Sequence, residues 1–223
     1  VNSGEIFAAA SRPGLDPIVI DERFDKNRMD RLASGTYELG SIFKTFTAAL
    51  AFEDGMSPQK RFDVRQLLEV EGYRIRDLHP AGRPLTVNEI FLQSSNVGAG
   101  LLALNNGQKR QKAFLKELGL TTPMSTEAGN IAPASLPVRW GDIENVTISY
   151  GHGLAVTPLQ FATASAALIN GGYRVKPTFL RKRGRSKKPP ERVISSETSR
   201  LIRQLMRENV ASKAGTGWRA AVA

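Results

Sequence analysis

Residues 41–55 of the chain read SIFKTFTAALAFEDG. Their apolar side chains recur at helical spacing and cover nearly the whole circumference, which is the pattern of a buried helix. Gly55 predicts the C-terminal end of this helix. Ser41 opens the helix, and Lys44, three residues later, shares its face. The stretch therefore predicts a buried helix that begins with a serine and a lysine side by side.

Strand patterns lie towards the two ends of the chain. Ile6–Ala10 is a short apolar stretch followed by a turn signal, and Ile18–Ile20 predicts a second short extended piece. Tyr173–Leu180 is typical of a strand, and Pro177 within it favours a place at the edge of a sheet. A sheet is therefore expected from segments that lie far apart in the sequence.

Helix signals occupy most of the chain between these strands. Thr86 and Thr157 each begin a capping box, in which a threonine is followed three residues later by Glu or Gln. Ser196–Arg207 suits a last amphipathic helix. This order favours an α+β fold in one domain over residues 1–223, with a helical lobe inserted at approximately 56–150.

Ser41 and Lys44 are the first candidates for chemistry. A serine hydroxyl becomes a good nucleophile when a base takes its proton. A lysine can act as that base if burial among apolar neighbours lowers its pKa well below its ordinary value. The first turn of the helix also offers free backbone N–H groups, which favour developing negative charge.

The Ser-x-x-Lys spacing occurs twice, since Ser57–Lys60 repeats it. The second copy follows Gly55 in a polar segment that has no apolar helix to bury its lysine. We predict a turn there. Context therefore selects Ser41 and Lys44, because spacing alone does not separate the two copies.

A polar break, Ser94-Ser95-Asn96, interrupts two helical segments about fifty residues after Ser41. Such a break can project hydroxyl and amide groups into a cleft, where Ser94 could relay a proton and Asn96 could hold a substrate amide. The alternative is a simple helix junction whose side chains cap the helix ends.

Composition excludes several kinds of site. The chain has no cysteine, and its two histidines, His79 and His152, lack metal-ligand spacing, so we expect no metal site and interpret both as turn or packing residues. The net charge is +10, and the run 181–192 holds seven basic residues against one acidic residue. No aromatic residue interleaves this run, so it predicts a solvated connector and no nucleic-acid site.

No signal peptide and no apolar stretch of the ~20 residues that a membrane span needs is found in the sequence. The first residues, VNSGEIFAAAS, resemble a strand already under way. The expectation is that the chain begins inside a domain and that any anchor lies outside it.

The order Ser-x-x-Lys then Ser-x-Asn resembles the signature of penicillin-binding proteins and serine β-lactamases. Four longer segments are similar to class B penicillin-binding proteins: SGEIFAAASRP (3–13), SGTYELGSIFKTFTAAL (34–50), LTVNEIFLQSSNVGAG (85–100) and YGHGLAVTPLQFATASAALINGG (150–172). YELGSIFK and the tail resemble the division, or septal, type more than the elongation type. The resemblance covers nearly the whole chain.

This resemblance implies a penicillin-binding-protein fold, with an antiparallel sheet packed against helices, and a peptidoglycan D,D-transpeptidase activity. Ser41 would attack the penultimate D-Ala of a stem peptide, Lys44 would be the base, Ser94 would join the proton relay and Asn96 would bind the donor amide. β-Lactams would imitate D-Ala-D-Ala and stall at the acyl-enzyme. No cofactor is expected. The implied place is the outer side of the cell membrane, with cell-division or glycosyltransferase partners.

The family's third motif, Lys-Thr-Gly, is missing from the chain. Residues 213–217, KAGTG, look like a degenerate copy, but in the family this loop precedes the strand that bears the motif. The sequence is therefore expected to stop just short of it, with an incomplete sheet, and residues 1–223 alone are expected to acylate poorly.

Two other functions remain open at this point. A serine β-lactamase or β-lactam sensor shares Ser-x-x-Lys but must hydrolyse or retain its acyl-enzyme differently, and no dedicated deacylating carboxylate is evident. A scaffold that only binds partners would not need the Ser41–Lys44 and Ser94–Asn96 sets. Turnover of penicillin separates the first, and a covalent β-lactam adduct excludes the second.

Overall fold

The computed structural model describes residues 1–14, 18, 29–181 and 191–221. The helices are α1 (Lys44–Glu53), α2 (Val87–Leu92), α3 (Asn96–Asn106), α4 (Gln108–Glu117), α5 (Asp142–Ser149), α6 (Pro158–Ile169) and α7 (Ser196–Ala211). The strands are β1 (Tyr37–Glu38), β2 (Arg61–Phe62), β3 (Leu68–Val70), β4 (Tyr73–Ile75), β5 (Leu85–Thr86), β6 (Ser125–Thr126), β7 (Gly129–Asn130) and β8 (Ala155–Val156). Two 3₁₀ turns cover Gly40–Phe43 and Trp218–Ala220. The α+β class predicted from the sequence is confirmed.

The strands pair two by two. Antiparallel pairs join β1 to β8, β2 to β5, β3 to β4 and β6 to β7, and each strand has two or three residues. The sequence predicts regular strands near Ile6 and Val175. Within the described ranges these predictions are wrong. Glu5 and Thr178 form an isolated parallel bridge there, and Tyr173 forms another with Arg192. Strands need partners for their backbone groups, and the described residues of these segments pair through isolated bridges, at Glu5, Tyr173 and Thr178, so no regular sheet forms there.

Helix α1 lies at the centre of the core, as its all-round apolar pattern predicts. It packs against α2, α3, α5 and α7. Phe43 and Phe46 are fully buried, with ring centroids 5.3 Å apart. Burying a side chain of this size stabilises the fold by about 1.5–3 kcal/mol. The helix ends at Glu53, and Gly55 adopts a φ of 81°, which confirms the predicted stop.

Small residues let α3 approach its neighbours. A Cβ at Gly98 would meet Ile90 of α2 at 2.5 Å, and a Cβ at Gly100 would meet Leu68 at 2.7 Å and Val146 of α5 at 3.0 Å. These distances are shorter than side chains tolerate, so the two glycines set how closely α3 packs. This packing fixes the start of α3 relative to α1.

Both predicted capping boxes are confirmed. Thr86 and Glu89 exchange side-chain and backbone bonds at the start of α2, and Thr157 and Gln160 do the same at α6. No element is predicted from the sequence for the segment of helix α5, whose β-branched residues Val146, Thr147 and Ile148 have low helix propensity. Its first turn is instead closed by the Glu144 carboxylate, which accepts the Gly141 N–H.

Two predictions fall on residues that the structure does not describe. Residues 182–190 of the basic run lie outside the described ranges, as do residues 19 and 20 of the second extended piece. The helical lobe at 56–150 contains α2–α5 and stays a prediction as a separate unit. Within the described ranges, the helices are all too short or too polar to cross a membrane.

Candidate active site

The entry of α1 places the predicted nucleophile and base together. Ser41 lies in the 3₁₀ turn that leads into α1, and Lys44 is the first residue of the helix. Lys44 Nζ lies 3.2 Å from Ser41 Oγ, within hydrogen-bond distance. Ser41 is exposed, whereas Lys44 is 3% exposed. An accessible hydroxyl therefore contacts a buried amine.

The polar break between α2 and α3 meets the same amine. Lys44 Nζ donates to the Ser94 carbonyl oxygen at 2.6 Å and to Asn96 Oδ1 at 2.7 Å, and Ser94 Oγ lies 2.9 Å away. Ser94 has a φ of 55°, a left-handed conformation that is costly for a residue other than glycine. The structure thus brings the other three predicted site residues, Ser41, Ser94 and Asn96, within hydrogen-bond distance of Lys44 Nζ.

Burial sets the protonation of Lys44. Loss of solvation lowers the pKa of Lys44 from 10.5 to about 8, and the negative charge of Asp77 partly opposes this effect. At neutral pH roughly a tenth of such a lysine carries no proton. That fraction can accept the Ser41 proton, which an ordinary surface lysine rarely could.

Asp77 is a site residue that sequence reasoning missed. Its carboxylate accepts the Ser95 hydroxyl at 2.7 Å and the backbone N–H groups of Asn96 and Val97 at 2.5 and 3.0 Å. Asp77 therefore satisfies the first N–H groups of α3 and holds the polar break in place. It lies in the loop after β4, far from α3 in the sequence, and no local pattern indicates it.

The middle residue of the break acts as a helix cap. Ser95 is buried, and its Oγ accepts the Gly98 N–H at 2.8 Å. The two interpretations of this segment therefore coexist: Ser95 caps α3, while the side chains on either side of it contact Lys44.

A family described as "Penicillin binding protein transpeptidase domain" matches residues 1–223. The chain belongs to this family. It is 36% identical over 226 residues to "Probable peptidoglycan D,D-transpeptidase FtsI" of Caulobacter vibrioides, covering 100% of this chain and 38% of that protein. The chain thus spans well under half the length of this curated relative.

Solved structures of penicillin-binding proteins share the fold. The transpeptidase domain of Burkholderia pseudomallei penicillin-binding protein 3 superposes with a TM-score of 0.79 at 29% identity, covering 86% of this chain and 59% of that one. A Burkholderia ambifaria structure titled as a peptidoglycan glycosyltransferase gives 0.86 at 26% identity, covering 99% and 66%. The resemblance to class B penicillin-binding proteins, and with it the fold class, is confirmed.

A cavity of about 300 Å³ opens beside Ser41. Its wall combines Ser41 and Ser94 with apolar side chains of α2 and α7, and with Thr216 of the loop after α7. The Thr216 N–H donates to the Leu92 carbonyl at 3.2 Å, which holds this loop against the end of α2. Lys213 lies exposed in the same loop.

The second Ser-x-x-Lys copy is a turn, as predicted. The Lys60 N–H donates to the Ser57 carbonyl at 3.0 Å. Lys60 Nζ is exposed, bonds Asn105 Oδ1 at 3.2 Å and lies 5.2 Å from the centroid of the Phe62 ring. Among the described residues, no group of three or more His, Cys, Asp or Glu could hold a metal ion.

Proposed function

We propose that the chain provides the acyl-enzyme-forming part of a peptidoglycan D,D-transpeptidase. One observation carries this proposal: a buried lysine lies within hydrogen-bond distance of an exposed serine, of Ser94 and of Asn96. A low-pKa amine beside an accessible hydroxyl is the arrangement that nucleophilic acyl transfer needs.

Acylation would begin with neutral Lys44. It takes the proton of Ser41 as Oγ attacks the penultimate D-Ala carbonyl of a donor stem peptide. Ser94 Oγ, 2.9 Å from Lys44 Nζ, extends the path by which that proton reaches the departing terminal D-Ala amine. The products of this half-reaction are free D-Ala and an ester on Ser41. A neighbouring stem-peptide amine then displaces Ser41 and forms the crosslink.

Asn96 would orient the donor. Its Oδ1 is occupied by Lys44, so its Nδ2 group is the part that can donate to an amide carbonyl of the stem peptide or of a β-lactam. The Ser41 N–H, in the first turn before α1, suits one half of an oxyanion hole. The resemblance implies that a strand with Lys-Thr-Gly would supply the other half.

The wider role is part of the same proposal. The name of the C. vibrioides relative, FtsI, favours a role in septal cell-wall synthesis. Cell-division or glycosyltransferase partners belong to the proposal through the family resemblance. We propose that the domain is located on the outer side of the cell membrane and that a membrane anchor in the full-length protein holds it there. β-Lactam antibiotics would acylate Ser41 in place of the stem peptide.

Labelling of the full-length protein with a fluorescent penicillin tests the proposal. We expect a covalent label that disappears in Ser41→Ala and persists in Ser57→Ala, the matched serine of the second copy. Label retained in Ser41→Ala would overturn the assignment. Rapid multiple turnover of penicillin would instead identify a β-lactamase.

A further inference from the structure

Glu38 and His152 form a pair beside the entry of α1. His152 Nδ1 lies 3.2 Å from Glu38 Oε2, and the Gly153 N–H donates to Glu38 Oε1 at 2.8 Å. The pairing of β1 with β8 brings the two segments together, with Glu38 opposite Ala155. The carboxylate is therefore held by two contacts from one loop.

The pair lies close to the nucleophile. The Gly40 N–H donates to the Gly151 carbonyl at 3.1 Å, and a Cβ on Gly151 would lie 2.0 Å from the Gly40 oxygen. Gly40 directly precedes Ser41, and Gly151 directly precedes His152. Standard bond lengths added to that hydrogen bond place the Ser41 and His152 Cα atoms at most about 12 Å apart. The Thr47 hydroxyl also donates at 2.7 Å to the carbonyl of Ser149, the last residue of α5, which ties the segment just before this loop to α1.

Glu38 fixes the tautomer of His152. The bonds from Gly153 and His152 hold the pKa of Glu38 below its usual value, so its carboxylate is ionised at neutral pH. An ionised carboxylate accepts and does not donate, so Nδ1 of a neutral His152 carries the hydrogen. The Nε2 lone pair is then available as a base, because the side chain is 60% exposed. The Tyr150 ring meets His152 edge-on, with centroids 5.6 Å apart.

In the second half-reaction the acyl group passes from Ser41 to the acceptor amine, and this step needs a base. An acceptor amine with a pKa near that of lysine, about 10.4, is an ammonium ion at neutral pH. It must lose two protons to become the new amide. Lys44 can return one proton to Ser41 Oγ, but the other needs a separate acceptor.

We propose that Glu38 and His152 bind the ammonium group of the acceptor and that His152 Nε2 takes its first proton. The neutral amine nitrogen then attacks the ester carbonyl on Ser41. A C–N bond forms, the bond from the carbonyl carbon to Ser41 Oγ breaks, and Lys44 carries the second amine proton to Oγ. His152 releases the first proton to solvent. This assignment rests on the proposed acyl-transfer function.

The test separates acylation from transfer in the full-length protein. A synthetic D-Ala thioester serves as donor and D-alanine as the amine acceptor, and the measured quantity is the ratio of aminolysis to hydrolysis. His152→Gln keeps a donor for Glu38 but has no basic nitrogen. We expect the rate of labelling by fluorescent penicillin to stay within about two-fold, and the aminolysis ratio to fall by ~10²-fold, the lower end for general-base catalysis. Glu38→Gln should raise the KM for D-alanine more than it lowers kcat.

Matched controls are His79→Gln and Glu197→Gln, which change an exposed histidine and an exposed glutamate. Both should leave the aminolysis ratio unchanged. An unchanged ratio in His152→Gln with normal labelling would overturn the proposal. Labelling lost in His152→Gln would also overturn it, because the pair would then support Ser41 structurally. Failure of the unaltered protein to label at all would instead count against the proposed function.

Discussion

The two Ser-x-x-Lys copies have the same spacing and opposite environments. Lys44 is 3% exposed and makes four polar contacts that converge on its amine, three of them from the break between α2 and α3. Lys60 is exposed, and its amine has one hydrogen bond, to Asn105. Burial lowers the pKa of Lys44, whereas the Lys60 side chain is exposed and contacts one aromatic ring, that of Phe62. The difference shows that this motif acquires chemistry from what packs around it.

The comparison also shows how a buried ammonium is tolerated. Loss of solvation disfavours the charge on Lys44, while the Ser94 carbonyl, the Asn96 amide oxygen and the negative Asp77 favour it. The balance leaves a pKa of about 8, between an always charged lysine and a neutral amine. Lys60 has no such opposing set.

Exchanging the two lysines for arginine should give the largest contrast. Arginine keeps the charge but does not lose its proton, so it cannot act as a base. We expect Lys44→Arg to slow acylation by fluorescent penicillin by at least ~10³-fold, within the range for loss of a general base. Lys60→Arg should label at the unaltered rate.

A second variant tests whether Lys44→Arg loses activity only because the larger arginine side chain does not fit the closed site. Lys44→Met has nearly the length of lysine and no amine, so it should show the same loss. Circular dichroism should confirm that both variants remain folded. A folded Lys44→Met protein that labels at a near-normal rate would show that another group takes the Ser41 proton.

Asp77→Asn should have the next largest effect. The change removes the charge that holds Ser95 and the first N–H groups of α3, and misplacing the break by about 1 Å can slow a reaction by ~10²-fold. The charge of Asp77 also raises the pKa of Lys44. Its removal should therefore lower that pKa further and move the acid limb of the labelling rate to lower pH.

That pH shift separates positioning from general destabilisation. Asp63→Asn is the matched control, because Asp63 is an exposed acid paired with Arg65 at 2.6 Å. It should change neither the labelling rate nor its pH dependence. If Asp77→Asn labels more slowly but the pH dependence of its labelling rate is unchanged, Asp77 acts only as a structural cap of α3.

Sequence reasoning succeeded where the cause is local. The apolar pattern of α1, the i, i+3 relation of Ser41 to Lys44 and the two capping boxes depend on residues within one or two turns. The polar break that holds Ser94 and Asn96 is visible in the sequence, and the structure places both side chains beside Lys44. Each of these features can be predicted without knowing which distant residues pack against it.

Reasoning failed where the partner is distant. Asp77 acts on α3 from the loop after β4, and Glu38 meets His152 across 114 positions. The interpretation of His152 as a turn or packing residue accounts for its place in the chain but not for its bond to Glu38. The terminal segments were expected to be strands because their composition suits strands, but a strand also needs a neighbour that the sequence does not reveal.

The pH dependence of acylation should be smaller than the effect of Lys44→Arg and about as large as that of Asp77→Asn. In the proposed mechanism neutral Lys44 is the reactive form, and the pKa of Lys44 is about 8. Below that pH the labelling rate should rise by about ten-fold per pH unit, and above it the rate should level off. Rapid-quench labelling between pH 6 and 9.5 measures this curve, and a rate that does not change from pH 6 to 8 would contradict the role of Lys44.

The smallest effect is expected at Ser57. In the turn, Ser57 Oγ accepts the exposed Gln59 N–H at 3.2 Å, while the Ser57 carbonyl accepts the Lys60 N–H. Ser57→Ala removes the first bond and keeps the second, so the free energy of unfolding should change by no more than about 0.5 kcal/mol. Urea denaturation measures this change.

The turn does have one connection to the site. The Pro58 and Lys60 carbonyls accept the N–H groups of Asn88 and Val87, in the first turn of α2, and Phe91 of α2 lines the cavity beside Ser41. Both acceptors are backbone groups that Ser57→Ala leaves in place. We therefore expect its labelling rate to stay within about two-fold, since surface changes of this kind rarely reach a distant site. A larger loss would mean that the second copy supports the first through α2, and the two environments would not be independent.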